Sequence, residues 1–192
     1  MIPLGYMAKR IVPHVEWVTE PHIEAVLSVS MCMQKPFWDD FISAWRHNEH
    51  WFFDSPATII ELAREQNISL AGLRWFYYEA HEAAYNDEAG WWCKWEPNGH
   101  TSGGVVMAQT GGELRGFDVV AYDTGTQPGC SPLSCNNLAA EIPVSRFCLF
   151  DTLEAARAAV DAGRFLNSEP GPYHIIAVWE VPPPEVPSIS TL

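Results

Sequence analysis

Residues 146–181 carry the clearest structural pattern in the chain; they are RFCLFDTLEAARAAVDAGRFLNSEPGPYHIIAVWEV. The middle of this stretch, residues 151–163, predicts a helix because its apolar residues recur every three or four positions. Asp151 and Glu154 have the spacing of a capping box at the start of that helix, and Gly163 is a residue type that ends helices. The apolar runs RFCLF and YHIIAVWEV on either side predict strands. The stretch therefore predicts a strand–helix–strand unit near the C-terminus.

Two more helices are predicted earlier in the chain. In residues 36–47, two tryptophans, a phenylalanine and an isoleucine fall on one helical stripe. A second helix starts at Ser55, which can cap it, has Pro56 in its first turn and ends near Asn67. The remaining predicted strands are Leu73–His81, Gly90–Glu96 and Gly116–Asp123, the first two paired as a hairpin.

The length of the chain and the order of these elements indicate the architecture. With 192 residues, the chain is close to the size of one domain and can bury a core without disulfides or metals. No internal repeat is visible in the sequence. We predict an α+β fold with a single domain over residues 1–181, in which early helices precede a mostly antiparallel sheet. The proline-rich residues 182–192 are predicted to be a flexible tail.

The chain is strongly acidic, with 24 Asp and Glu residues against 11 Lys and Arg residues and a formal net charge of −13. The excess is spread over the chain from residue 36 onward and is not confined to a tail. Such a surface repels phosphate backbones and anionic lipids, so we exclude a nucleic-acid partner and a membrane partner. Because it speeds association with a basic protein surface, a basic protein is the expected partner.

The cellular location is predicted from the apolar segments and the cysteines. The N-terminus lacks the apolar core of a signal peptide, and no apolar run approaches the roughly 18 residues of a spanning helix. The five cysteines are an odd number and lie mostly in apolar stretches, which is typical of reduced, buried thiols. We therefore predict a cytoplasmic protein; the sequence does not define its oligomeric state.

Residues 123–138 form the most unusual segment, a long run of small polar residues between two predicted strands. Cys130 and Cys135 could form a local disulfide or redox pair, or one of them could be a nucleophile with His174 or His100 as its base. The segment could instead bind a polar or anionic ligand through its backbone amides and four side chains: Ser131, Ser134, Asn136 and Asn137. In a purely structural role, the same side chains would form hydrogen bonds with the backbone groups of the loop itself.

The sequence gives little support to a metal or a cofactor. His47 and His50 are three residues apart near a predicted helix end, where the helix dipole alone favours histidine. The cysteines lack paired C-x2-C spacing, and the zinc-protease, phosphate-loop and nucleophile-elbow motifs are absent. Asp118 and Asp123 lie five residues apart on one strand and face opposite sides, which disfavours an acid–base pair. We expect no metal and no cofactor; whether the protein is an enzyme stays open, and the absence of these motifs favours a protein that is not one.

Tryptophan is abundant, with nine residues mostly in clusters. In residues 91–95, strand alternation places Trp91 on the buried face and leaves Trp92 at least partly exposed. An exposed aromatic ring on an acidic surface is typical of a protein that binds a basic partner. The residues expected to contact that partner are Trp92, Asp39, Glu61 and Glu65.

These observations lead to a functional hypothesis and an alternative. We predict an acidic cytosolic binding protein that sequesters or inhibits another protein, as immunity proteins, antitoxins and anti-defence proteins do. The alternative is a small enzyme or ligand-binding domain built around residues 123–138.

Overall fold

The computed structural model describes the protein over residues 1–11, 15–30, 35–36, 47–48, 50–95, 105–109, 111–123 and 127–184. The helix predicted over residues 36–47 lies outside this range apart from its two ends, and so does the tail beyond Pro184. The strands are β1 (Ile2–Arg10), β2 (Lys35–Pro36), β3 (Arg74–Ala80), β4 (Ala83–Asn86), β5 (Trp91–Lys94), β6 (Glu113–Asp123), β7 (Gln127–Pro128) and β8 (Tyr173–Val181). The helices are α1 (Pro56–Glu65), α2 (Pro132–Cys135) and α3 (Leu153–Asp161), and a 3-10 turn spans Leu138–Ala140.

The strands form one curled antiparallel sheet around β8. Residues 176–180 of β8 pair with β3 on one edge and with β6 on the other. The strand β4 joins the same edge as β3, where Tyr85 pairs with Tyr173. Beyond these strands, β1 pairs with β3 and β5 pairs with β4. The predicted mixed α+β architecture with an antiparallel sheet is therefore confirmed.

The two longer helices begin at hydroxyl side chains. The Ser55 hydroxyl accepts a hydrogen bond from the Thr58 amide at 3.3 Å, so the predicted cap of α1 is confirmed. At α3 the capping residue is Thr152, whose hydroxyl accepts from the Ala155 amide at 3.1 Å. The predicted cap at Asp151 is therefore wrong by one residue, because the hydroxyl that follows it takes the capping geometry.

Three strand predictions are corrected by the structure. Residues 146–150 form a turn that ends in a single bridge between Phe150 and Phe117. The hairpin partner of β5 is β4, which is closed by a four-residue turn and so costs less loop entropy than pairing with the distant β3. The strand β1 was not predicted, because Pro3 at its start reads as a break although proline is tolerated at the first positions of a strand.

The structure also shows an internal repeat that the sequence does not display. The unit β1–α1–β3 and the unit β6–α3–β8 have the same order and pairing, and they meet where β3 lies beside β8. Each unit has a bulge glycine with positive φ, Gly5 at +130° and Gly116 at +142°. A Cβ at either glycine would lie 2.6 Å from a carbonyl oxygen, that of Phe53 or of Phe150. Both positions therefore require glycine for the same reason.

The segments that enter α1 and α3 repeat the same hydrogen bonds. Phe53 exchanges backbone bonds of 2.8 and 3.0 Å with Tyr6, and Phe150 exchanges bonds of 2.8 and 2.9 Å with Phe117. The residues Trp51 and Cys148, each two positions before these phenylalanines, have positive φ values of 64° and 59°. The two units share backbone conformation and backbone hydrogen bonds but few side-chain identities. The repeat is therefore hard to detect in the sequence.

The core occupies two clusters of buried residues. The first packs α1 against β1 and β3, and the second packs α3, α2 and residues 15–26 against β6 and β8. This arrangement brings the loop that follows β7 next to the segment that precedes residue 30.

Candidate functional site

The side chain of Asp118 is fully buried in the middle of β6. Its Oδ2 accepts hydrogen bonds from the Ser28 hydroxyl at 3.0 Å and from the Val29 amide at 2.8 Å. Its Oδ1 accepts from the Ser131 hydroxyl at 2.6 Å. All three donors lie in irregular segments, so this one carboxylate holds both segments against the sheet.

Lys9 is the cation that accompanies this carboxylate, and it too is fully buried. Its Nζ donates to the carbonyl oxygens of Val29 at 2.9 Å and Ser28 at 3.2 Å. Burial lowers the pKa of Lys9 to about 7, although the charge of Asp118 opposes this shift. Burial likewise raises the pKa of Asp118 in spite of its hydrogen bonds. We call these four residues (Lys9, Ser28, Val29 and Asp118), together with Ser131, the buried polar centre.

The structure divides the ligand-binding residues predicted in residues 123–138. The Ser131 side chain belongs to the buried polar centre, and Ser134 is buried in α2. Asn137 has a positive φ of 55° where it begins the 3-10 turn, and Asn136 is exposed. The buried serines cannot meet a ligand from solvent without local opening, whereas Asn136 can.

The cysteines of this loop lie next to the buried polar centre. Cys130 and Cys135, both in the described part of the loop, are not joined by a disulfide. The Cys135 sulfur lies 3.7 Å from the Ser30 hydroxyl. Burial raises the pKa of the adjacent Cys148 to about 12, and the charge of Asp118 adds to the shift, so Cys148 is a protonated thiol at neutral pH.

His174, the predicted base, is buried in β8 opposite Val120. Its ring centroid lies 4.3 Å from that of Tyr122 and 4.5 Å from that of Trp95. Burial lowers the pKa of His174 to about 3, and the charge of His50 contributes. A group with this pKa is a weak base at neutral pH, so the burial that lowers the pKa of His174 does not favour cysteine–histidine catalysis.

The strand β5 carries an exposed tryptophan next to a packed one. Trp91 is 61% exposed. The Trp92 indole donates to Asp161 of α3 at 2.6 Å, and the Arg157 guanidinium carbon lies 4.9 Å from its ring. Trp92 keeps partial exposure, but the prediction that Trp91 is buried is wrong, because α3 covers the opposite face of the strand.

A second exposed tryptophan, Trp17, lies beside α2. Its ring is 51% exposed, and its indole nitrogen donates to the Ser134 carbonyl oxygen at 2.9 Å. Directly after α2, the Asn136 side chain donates to the Glu169 carboxylate at 3.3 Å. This contact joins the Trp17 region to the segment that precedes β8.

The same row of contacts continues to β5. The Gly171 amide, two residues after Glu169, donates to the Asp87 carboxylate at 3.0 Å. Asp87 lies with exposed Glu88 in the β4–β5 turn, a few residues before Trp91. We give the name aromatic–acidic strip to the set of residues that these two hydrogen bonds and their sequence neighbours connect. It comprises Trp17, Asn136, Glu169, Asp87, Glu88 and Trp91.

The other acidic residues predicted to bind a partner lie elsewhere. Glu61 and Glu65 are exposed on α1, which packs on the first core cluster, whereas the strip borders the second. Asp39 and the other candidate base, His100, lie outside the described residues.

The sequence analysis did not identify several of these residues. A lysine within an apolar strand is a signal for a buried charge, and Lys9 could have been found in this way once β1 was assigned. Trp91 follows Gly90 at a turn, where the first residue of a strand is often exposed. For Trp17 the sequence carries no local signal.

Within the described ranges, no three or more His, Cys, Asp or Glu side chains are grouped so that they could hold a metal ion. In the same part of the chain, no helix has the length and apolar character needed to cross a membrane. Comparisons with protein-family models, curated proteins and solved structures found no match. The fold and the site therefore define the class: an α+β protein with an internally repeated antiparallel sheet, a buried polar centre and an aromatic–acidic strip.

Proposed function

We propose that this chain is an acidic binding protein that docks on a basic protein surface through the aromatic–acidic strip. By occupying that surface it sequesters or inhibits its partner. The observation that carries the proposal is the pair of exposed tryptophans, Trp17 and Trp91, at the two ends of one row of carboxylates. Tryptophan is enriched among the residues that contribute most to protein–protein affinity.

The strip is held in place before any partner arrives. The Trp17 indole is fixed by its bond to Ser134, and the hairpin that carries Trp91 is fixed by the bond between Trp92 and Asp161. A preordered surface loses less side-chain entropy on binding, so more of the contact energy contributes to affinity. The net charge of −13 accelerates the encounter with a basic partner and makes it sensitive to salt.

Site-specific photo-crosslinking in the cells that make the protein tests the proposal. A photoreactive phenylalanine analogue replaces Trp17 or Trp91, and as a control it replaces Gln66, an exposed residue of the α1 end. We expect one basic protein to be captured from both strip positions and not from position 66. Different proteins at the two strip positions, or equal capture from position 66, would overturn the assignment of the surface.

A charge-matched pair of variants separates local contact from overall attraction. Glu88→Lys alters the strip, and Glu61→Lys changes the net charge equally on α1. We expect the first variant to reduce capture at Trp91 by about tenfold or more, as the loss of a central contact does, and the second to have little effect. Equal effects would show that only net charge matters. Inhibition is then tested by adding the intact chain to the purified partner in its own activity assay.

A further inference from the structure

Two buried polar atoms on touching rings have no hydrogen-bond partner among the described residues: Nδ1 of His174 and Oη of Tyr122. The two residues are 1% and 2% exposed, and their ring centroids are 4.3 Å apart. Buried polar groups are nearly always paired with protein, water or an ion. The two orphaned atoms belong to rings that are in contact, which is the pattern that one missing partner shared by both would leave.

A third polar ring, that of His50, packs against the same tryptophan. The ring centroid of Trp95 lies 4.5 Å from that of His174 and 5.5 Å from that of His50. His47, three residues earlier in the sequence, does not belong to this group, because its ring stacks on that of Trp51 at 4.3 Å. His50 and His174 therefore share Trp95 as a neighbour, and the charge of His50 acts on His174.

We propose that His174, His50 and Tyr122 form a binding site for one divalent transition-metal ion. Two imidazoles and one phenolate are an N,N,O donor set that suits cobalt, copper or zinc. The phenol is the third donor, and the surrounding aromatic rings shield the ion from water.

Metal binding at this site exchanges a proton for the ion. The Tyr122 O–H bond breaks, the oxygen bonds to the metal, and the proton passes to solvent. Burial raises the pKa of Tyr122 well above its ordinary value, so the phenol stays protonated until a cation arrives. His174 is already neutral at pH 7 and releases no proton. Metal affinity is therefore expected to rise with pH.

Titration of the reduced full-length chain with Co²⁺ alone tests the site. We expect one equivalent to bind with visible d–d absorption and a phenolate difference spectrum, and without the sulfur-to-cobalt band that thiol ligands would produce. Tyr122→Phe and His174→Gln should each weaken binding by at least about tenfold. His22→Gln, at an exposed histidine, is the control and should leave binding unchanged.

The outcomes distinguish the proposed site from surface binding. Tyr122→Phe keeps the ring and removes only the orphaned oxygen, so it should fold, as circular dichroism and the urea midpoint will show. Binding that survives in Tyr122→Phe, or is lost in His22→Gln, overturns the proposal. A sulfur-to-cobalt band, or no binding at all, does the same. If His174→Gln fails to fold, Tyr122→Phe alone decides.

Discussion

Replacing Asp118 with asparagine tests whether the buried polar centre stabilises the fold. The carboxylate accepts three hydrogen bonds on two oxygens, whereas an amide has one oxygen and must turn its NH2 group towards at least one donor. It also removes the negative charge that favours the protonated form of buried Lys9. Leaving a buried hydrogen-bond donor without its acceptor costs about 1–3 kcal/mol, and we expect a loss of this size in the free energy of unfolding. Urea denaturation at pH 7, followed by tryptophan fluorescence, measures it.

Two further variants show whether the cost arises from the pair. Lys9→Met removes the cation, and Lys9→Met/Asp118→Asn removes both charges and retains the side-chain volumes. If the two charges act on each other, the double variant should lose at least about 1 kcal/mol less than the sum of the single variants. Additive losses, or a loss below about 1 kcal/mol for Asp118→Asn with an unchanged m-value, would refute the reasoning.

Other predictions address the repeat, the cap and a buried histidine. Gly116→Ala should cost about 1–3 kcal/mol in urea denaturation, because its Cβ would lie 2.6 Å from the Phe150 carbonyl oxygen. Gly90 also has a positive φ, but an added Cβ there would contact nothing, so Gly90→Ala should lower the free energy of unfolding by less. Equal losses for the two variants would contradict the steric explanation. Thr152→Ala should lower the free energy of unfolding by about 1 kcal/mol, and Asp151→Ala should lower it by less. The reverse order would show that Asp151 is the capping residue. His174 has a pKa of about 3 when folded against 6.5 when unfolded, so the unfolded state binds more protons between these values and stability falls as the pH drops through that window. The free energy of unfolding should decrease by up to about 1.4 kcal/mol per pH unit more in the wild type than in His174→Gln, and parallel curves would contradict this.

Local patterns in the sequence identified much of the fold. The residues of α1, α3 and β8 could be predicted because capping hydroxyls, helical spacing and an apolar run are all short-range signals. Strand pairing depends on distant partners, so the hairpin was assigned to the wrong strand. Residues 146–150 look like a strand because they are mostly apolar, but they form a turn that leads into α3, and residues 148–150 of it are buried.

The candidate sites were harder to predict than the elements. Asp118 and Lys9 are more than a hundred residues apart, and their association depends on residues 28 and 29, which have no regular structure. Trp91 is more exposed than Trp92 because α3, which follows much later in the chain, covers the face of β5 that carries Trp92. The alternation of residues along a strand assigns the side chains to two faces of the sheet, but it does not show which face is buried by the rest of the protein.

The buried polar centre distinguishes the two repeated units and links them. Lys9 belongs to the first unit and Asp118 to the second, and the position equivalent to Asp118 in the first unit is occupied by Met7, directly after the bridged Tyr6. The repeated backbone bonds are made within each unit, whereas Lys9 and Asp118 bond to the Ser28–Val29 segment, which belongs to neither unit. The Ser28–Val29 segment bonds to both charges and so requires both units to be folded together. Two buried ionisable groups that share one segment contribute less to net stability than to the choice of one arrangement, since their desolvation offsets much of the gain from their hydrogen bonds. That is the role we expect for this pair in a sheet whose two halves otherwise use the same construction.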